Sequence, residues 1–543
     1  PKPKMTVVVS QDRYIILIEF AVKHVDFQVA ELESILDMIG IQLGSDECRI
    51  IPLPNSNSVF RRPFLLLSFP LDFHCPKCFI DESKERMEQN SQKQKLSSII
   101  LSRCVLVRSV LEIWGYSTTL DDCVQTTMQF KDSTLGSRII TQHANKEKSW
   151  KTTIHTLGTR YTRDEQDKMR NSFHFLPFHG PVKMENPDNE FVLIRETELT
   201  EKGSAIYPRH DCHGQIIPEN NARPPLAVYF GRVLGTRSHK GRGGLEQYSL
   251  TKRKYLGPTS MDAELSFIMS NLAQIQSSSM VLDPFVGTGS ILLSCAIRGA
   301  YCLGTDIDLR VLRGRSQEEN IRSNFHQYGL PAPELVRSDN SMYHRHFTRT
   351  TNPLFDAIVT DPPYGIRAGA RKTGSRLSEP RPVLEEHRHD HIAQTKPYAV
   401  SDVMADLLDM AARTLVMGGR LVYVIPSFTT DFSIENDLPK HECLEVLHSC
   451  YQPFTSELGR RIVTMKKVIP YEASRRDQYY SSIWTNGTES AEKCANIRDK
   501  ILEAAKKKPD YAQKAAIRKG KRKLHLQAKK EAKRKENIQA QEL

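Results

Sequence analysis

Apolar residues in the first 120 positions switch between strand and helix spacing. Tyr14-Ile15-Ile16-Leu17-Ile18-Glu19-Phe20 is a short apolar run of strand type, and Phe64-Leu65-Leu66-Leu67-Ser68-Phe69 is a second. Between them Val29, Leu32, Leu36 and Ile39 recur at the three-to-four spacing of one helical face, and Gly40 supplies a stop. The span 72–97 breaks the pattern with charge and with Gln, Asn and Ser, which predicts a surface insertion. Cys104 to Gly115 returns to core-like composition. Mixed strands and helices over 5–125 predict a small α+β unit. A second block, 130–235, holds strand-like runs at Trp150–His155, Phe191–Glu196 and Val228–Arg232, with a charged helical stretch over Tyr161–Phe173. Residues 200–225 are rich in Pro, Gly and polar side chains and read as a loop or linker.

From 245 to 470 the pattern becomes strand, helix, strand, the signature of a doubly wound α/β sheet. Strands are predicted at Met280–Asp283, Tyr301–Asp306, Glu334–Asp339, Phe355–Thr360 and Arg420–Ile425. Helices are predicted at Ser290–Arg298 with Gly299 as stop, at Glu318–Tyr328, and at Ser401–Leu415. Leu444–Cys450 and Arg461–Val468 predict a closing antiparallel hairpin. Residues 366–400 read as a long loop containing His387-Arg388-His389-Asp390-His391. Beyond Pro470 the hydrophobic period fades, and a basic tail, helical or disordered, covers 495–543.

Charge refines this picture in one place. The 543-residue chain carries a net +12, of which +11 lies between Arg498 and Glu536, where 16 Lys or Arg face 5 Asp or Glu. The basic character is a tail that attracts polyanions without reading their sequence, or a solvated tail that aids solubility. No run approaches the roughly 18 apolar residues of a membrane span, and no signal-peptide pattern precedes Tyr14. The 11 cysteines lack disulfide-framework spacing and read as reduced thiols, which suits a cytoplasmic location. Cys75-Pro76-Lys77-Cys78 is a single pair where a structural zinc site needs four ligands, so no metal is expected.

The chemistry gathers at strand ends. Asp283-Pro284-Phe285-Val286-Gly287-Thr288-Gly289 closes the first strand of the sheet, at the crevice where such sheets bind ligands. Gly287 and Gly289 let the backbone approach a ligand closely. Pro284 and Phe285 stand where a diphosphate loop needs open amides, and Asp283 would repel a diphosphate. The turn suits a cationic nucleoside such as S-adenosylmethionine, with Phe285 beside it. Asp306 ends the second strand, where an acid takes ribose hydroxyls, and Asp339 ends the third, where an acid or its neighbours meet the adenine amine. Asp361-Pro362-Pro363-Tyr364 ends the fourth. The lone pair of an exocyclic base amine is conjugated into the ring. A carboxylate at Asp361 and a carbonyl at Pro362 can accept its two N–H bonds and turn the lone pair toward a methyl donor. The two prolines stiffen the turn, and Tyr364 can stack on a flipped base.

Gly257-Pro258-Thr259-Ser260-Met261-Asp262-Ala263, the Asp283–Gly289 turn and Asp361-Pro362-Pro363-Tyr364-Gly365-Ile366-Arg367 together resemble the eukaryotic tRNA guanosine-10 N2-methyltransferase catalytic subunits. The resemblance runs from about Tyr14 to Val468. It implies a Rossmann-like class I methyltransferase domain behind an N-terminal ferredoxin-like and THUMP region that grips tRNA. It also implies Thr259 and Ser260 beside the cofactor, and a small zinc-binding activator subunit as partner. The alternatives left by the residues alone are transfer to another exocyclic amine, on adenine, cytosine or a different guanosine, and an RNA-binding protein with a vestigial methyltransferase fold.

Overall fold

The structure, a computed structural model, describes residues 13–56, 62–76, 92–158, 161–198, 225–237, 242–257, 260–347, 353–363, 369–374, 385, 394–428, 432–454 and 458–484. Outside these fall Thr259 and Tyr364, Lys77 and Cys78, the His387–His391 cluster and the basic tail.

Two seven-stranded sheets carry the chain. The first contains β1 (Arg13–Phe20), β2 (Arg49–Ile51), β3 (Phe64–Pro70), β4 (Val107–Ser117), β5 (Trp150–Leu157), β6 (Asn189–Glu196) and β7 (Ala227–Thr236) in the order β2-β3-β1-β4-β7-β6-β5. Every neighbouring pair is antiparallel except β5 with β6. Helices α1 (Val25–Met38), α2 (Gln92–Arg103), α3 (Leu120–Asp132), α4 (Thr134–His143) and α5 (Arg163–Asn171) connect them. The two N-terminal blocks expected from the pattern therefore share one sheet, and the boundary expected at 125–130 falls inside α3. Its link is β4, an 11-residue strand with partners on both sides, whose length lets it pair with β1 and β7 together.

The second sheet contains β8 (Met280–Asp283), β9 (Tyr301–Asp306), β10 (Glu334–Arg337), β11 (Phe355–Thr360), β14 (Leu415–Phe428), β15 (Leu444–Pro453) and β16 (Leu458–Lys467). Strands β12 (Arg371–Thr373) and β13 (Thr395–Pro397) form a separate two-stranded ribbon. The sheet order is β10-β9-β8-β11-β14-β16-β15, parallel up to β14 and antiparallel thereafter. Its helices are α6 (Ala263–Leu272), α7 (Ser290–Ile297), α8 (Leu309–Arg313), α9 (Ile321–Gln327), α10 (Tyr343–His346), α11 (Val400–Thr414), α12 (Ile434–Asp437) and α13 (Arg476–Ser482). The order places the carboxyl ends of β8, β9, β10 and β11 along one crevice, the Rossmann-like arrangement expected.

Several expectations change. The span 72–97 is not all insertion: Phe73 is buried, and α2 starts at Gln92 and buries Leu96, Ile99 and Ile100. Its opening Gln-Lys-Gln-Lys hid that apolar face. Val29 faces solvent, so the core side of α1 is carried by Phe27, Leu32, Ile35 and Leu36. Part of the long 366–400 loop is the β12–β13 ribbon. The chain beyond Pro470 is not spent, because Tyr471, Tyr479 and Ile483 seal the core beneath α11. Helix α6 went unpredicted because it is buried on every side and shows no amphipathic period. Among the described residues no helix is long and apolar enough to cross a membrane, and no three His, Cys, Asp or Glu cluster as metal ligands.

One hydrophobic core passes through both sheets' territories. Phe27, Leu32 and Ile35 of α1 belong to the same buried cluster as Leu265, Ile268 and Leu272 of α6 and Val281 of β8. At its centre the fully buried Glu31 carboxylate accepts the amides of Val105 (2.7 Å) and Leu106 (2.9 Å) and the Asn271 side chain (2.7 Å). Around it, Arg420 donates to the Asp37 carboxylate (2.7 Å) and the Leu272 carbonyl (2.8 Å), and Arg103 donates to the Ile275 carbonyl (2.5 Å).

Candidate active site

The glycine turn after β8 folds its own polar groups inward. The Phe285 amide donates to Asp283 Oδ1 (3.1 Å), the Val286 amide to the Thr305 carbonyl (2.9 Å), and the Gly287 amide to Asp306 Oδ2 (3.0 Å). The Gly289 amide donates to the Val286 carbonyl (2.8 Å). These amides are engaged, so the turn is no cradle for a diphosphate, which needs amides pointing outward. Gly287 (φ 50°) and Gly289 (φ 76°) hold left-handed backbone, and a Cβ on Gly289 would sit 2.8 Å from the Ile321 side chain of α9. The turn therefore depends on glycine for both its shape and its packing.

Three acids face the crevice, held by backbone amides and hydroxyls. Asp283 is 1% exposed; Thr360, the last residue of β11, donates to its Oδ1 at 2.6 Å. Burial pushes the Asp283 carboxyl up to about 7, aided by the nearby charges of Asp306 and Asp361 and opposed by Thr360 and the Phe285 amide. Asp306 accepts the Gly287 amide and, through Oδ1, the Asp308 amide (2.9 Å); burial raises it too. Asp339 takes the Ser341 amide (2.9 Å) and hydroxyl (2.7 Å) on one oxygen and the Thr373 amide (2.6 Å) on the other. Burial raises Asp339, but these hydrogen bonds outweigh it and leave its carboxyl below the usual range. Asp339 thereby ties the β12–β13 ribbon to the end of β10.

Ser260 is bonded to the glycine turn. Its hydroxyl meets the Thr288 hydroxyl at 2.7 Å and accepts the Gly257 amide at 3.0 Å, which lays this segment on the glycine turn. A Cβ on Gly257 would come within 2.8 Å of the Thr288 methyl. Phe285 packs against Ala370, Tyr398 and Val403, linking the turn to the ribbon and to α11. Asp361 follows Thr360, with Pro362 buried and Pro363 half-buried. Asp283 and Asp361 are thus linked through Thr360, the last residue of β11. Thr259 and Tyr364 lie outside the described residues.

Residues that no motif signalled complete the site. Thr360 gives Asp283 its hydroxyl donor, and Thr373 holds Asp339. Arg253, 7% exposed, donates to the Ser290 hydroxyl at 2.7 Å and pins the first turn of α7. Arg460 of β16 stands 3.9 Å from Asp361. No local pattern hinted at them, since their partners lie far away in the chain.

A parallel sheet closed by an antiparallel pair, with acids at successive strand ends and an Asp-Pro-Pro turn, defines a Rossmann-like methyltransferase domain. Comparison with known proteins agrees. Residues 251–382 match the family described as RMKL-like, methyltransferase domain, and residues 87–239 match the Tmrp11 THUMP N-terminal domain. The human tRNA (guanine(10)-N(2))-methyltransferase TRMT11 is 33% identical over 481 residues, 86% of this chain and 90% of that protein. The Dictyostelium discoideum protein of the same name is 35% identical over 466 residues, covering 84% and 83%. Among solved structures, TrmN from Thermus thermophilus aligns with 84% of this chain and 100% of its own at 14% identity and a TM-score of 0.36. The chain belongs to the TRMT11 family of methyltransferases.

Proposed function

We propose that this enzyme transfers a methyl group from S-adenosylmethionine to the exocyclic N2 of guanosine 10 in tRNA. The observation that carries the reading is the inward-turned glycine loop beside acids held by amides and hydroxyls rather than by cations. Such a crevice favours a ligand with positive charge and hydroxyl donors. Asp283 and Phe285, with Gly287 and Gly289, border the place of the methionine end, joined by Ser260 and by Thr259. Asp306 takes the ribose hydroxyls, and the Asp339 neighbourhood takes the adenine. When bound, the cofactor supplies an electrophilic methyl on a sulfonium.

This chain's residues do the rest by positioning. Asp361 and the Pro362 carbonyl accept the N–H bonds of the base amine and hold its lone pair in line with the methyl. Pro363 stiffens that turn, and Tyr364 stacks on the base once it has left its helix, at a cost of roughly a few kcal/mol. Asp361 takes up no metal in this scheme and accepts the amine proton as the new N–C bond forms. The THUMP-containing N-terminal half binds the tRNA, and the basic tail adds salt-sensitive affinity. A small zinc-binding activator subunit and a cytoplasmic location complete the proposal.

The test is incubation of the full chain, alone and with a candidate activator, with labelled S-adenosylmethionine and unmodified tRNA, followed by nucleoside analysis. N2-methylguanosine at position 10 is expected. Label in another nucleoside, or none under either condition, would refute the reading.

A further inference from the structure

The geometry points to Arg460 as the residue that selects guanine, by donating to its O6 while Asp361 accepts the amine; this rests on the reading of the site given above. Arg460 is carried by β16, opposite Pro426 of β14 and Gln452 of β15. Its side chain is only 13% exposed, and its guanidinium is held on two sides. Nε donates to the Gln452 side chain at 2.7 Å, and the group lies 5.1 Å from the Phe454 ring centre. Of its remaining donors, Nη1 faces Asp361 Oδ2 at 3.9 Å. That distance is too long for a hydrogen bond between the two. A braced guanidinium that stops short of the carboxylate beside it is placed for a third group.

The donors and acceptors of the bases decide which group fits. An ionised carboxylate only accepts, and a guanidinium only donates. Groups 3.9 Å apart reach alternate rather than adjacent positions of a base edge. With the reacting amine on Asp361, the alternate position on guanine is O6, an acceptor for Arg460. The N1–H between them is a further donor for the carboxylate. On adenine the alternate position is a carbon-bound hydrogen, which leaves the guanidinium without a partner. On cytosine the intervening N3 turns a lone pair on the carboxylate. Guanine alone satisfies all three positions.

A minor change at the base tests this. Two tRNAs are compared, one with guanosine at the target position and one with 6-thioguanosine. The analogue keeps the 2-amine and the N1–H and replaces O6 by sulfur, a weak acceptor. The full-length wild type is expected to favour guanosine by about 10- to 10²-fold in kcat/KM, the scale of losing one hydrogen bond to a charged group. In Arg460→Met the preference collapses toward unity, and in Arg460→Lys it is partly kept. S-adenosylmethionine titration and a thermal melt establish that each variant is folded and loaded. If Arg460→Met slows both tRNAs equally and the preference stays, Arg460 merely supports Asp361 and the inference fails. If wild type labels neither tRNA at this amine, the functional reading has failed instead.

Discussion

Buried acids serve opposite ends in the two sheets. In the first, Glu112 meets Arg232 at 3.0 Å and also the Lys93 ammonium, and Glu196 takes the Arg62 guanidinium on Nε at 2.6 Å. Burial alone would raise Glu112, but Arg232 and Lys93 outweigh it and bring the carboxyl down to about 2. In the second sheet Asp283, Asp306 and Asp339 are held by amides and hydroxyls, and burial pushes Asp283 up to about 7. A carboxylate matched by its own cations is finished as a structural element. One held only by dipoles keeps its affinity for a cation still to come, and its folded state bears the cost of the wait. Glu31 marks the limit of the rule: amides hold it as well, but it is sealed under α6, where its hydrogen bonds serve the junction.

The sharpest way to break the contrast is to exchange the outcomes. Asp361→Ala should lower methyl transfer by about 10³-fold, the scale of losing a group aimed at the reacting centre, while leaving tRNA affinity nearly intact. Near wild-type turnover would move the amine elsewhere. Glu112→Ala should do the reverse, costing about 3–5 kcal/mol in urea unfolding because two buried cations lose their partner. A loss below about 1 kcal/mol would make that cluster incidental. Glu31→Ala should cost about 2–3 kcal/mol by stranding the Val105 and Leu106 amides. Calorimetry checks it, and an unchanged melt would remove Glu31 from the junction.

A last test separates Glu112 from Asp283 by sign. Glu112 is lowered from 4.5 to about 2, so its contribution is present above pH 4.5 and lost as pH falls toward 2. Asp283 is raised from 3.8 to about 7, so the folded chain keeps a proton that the unfolded one has released. Its contribution is present below pH 3.8 and lost as pH rises through 7. Unfolding free energies of Asp283→Asn, measured from pH 4 to 7, should decline less steeply with pH than those of wild type. A parallel decline would mean that Asp283 titrates normally.

Much of the second sheet was legible because its strands are compact apolar runs that end in an acid or a glycine. Met280–Asp283, Tyr301–Asp306 and Phe355–Thr360 stand where the pattern put them. The turn chemistry was legible as well, since Gly287 and Gly289 carry positive φ. What escaped notice lacked a local signal. Helix α6 is apolar on all sides, and the packing of α13 rests on Tyr479, one of two adjacent tyrosines in a polar stretch. The neighbours of the acids are encoded only by the fold: Thr360 lies 77 residues from Asp283, and Arg460 comes to 3.9 Å from Asp361 from a strand on the far side of β14. The single sheet of the N-terminal half was hidden for the same reason, because β4 pairs with strands from both blocks.

The core shared by α1, α6 and β8 has a consequence for how this molecule can be cut or recombined. A fragment starting at residue 245 would carry every motif of the crevice yet open the α6 face to water, with Asn271 and Arg420 deprived of Glu31 and Asp37. Such a piece should aggregate rather than work as a portable catalyst. An exchange of RNA-binding halves between relatives would succeed only if α1 and α6 were transplanted together as one matched pair.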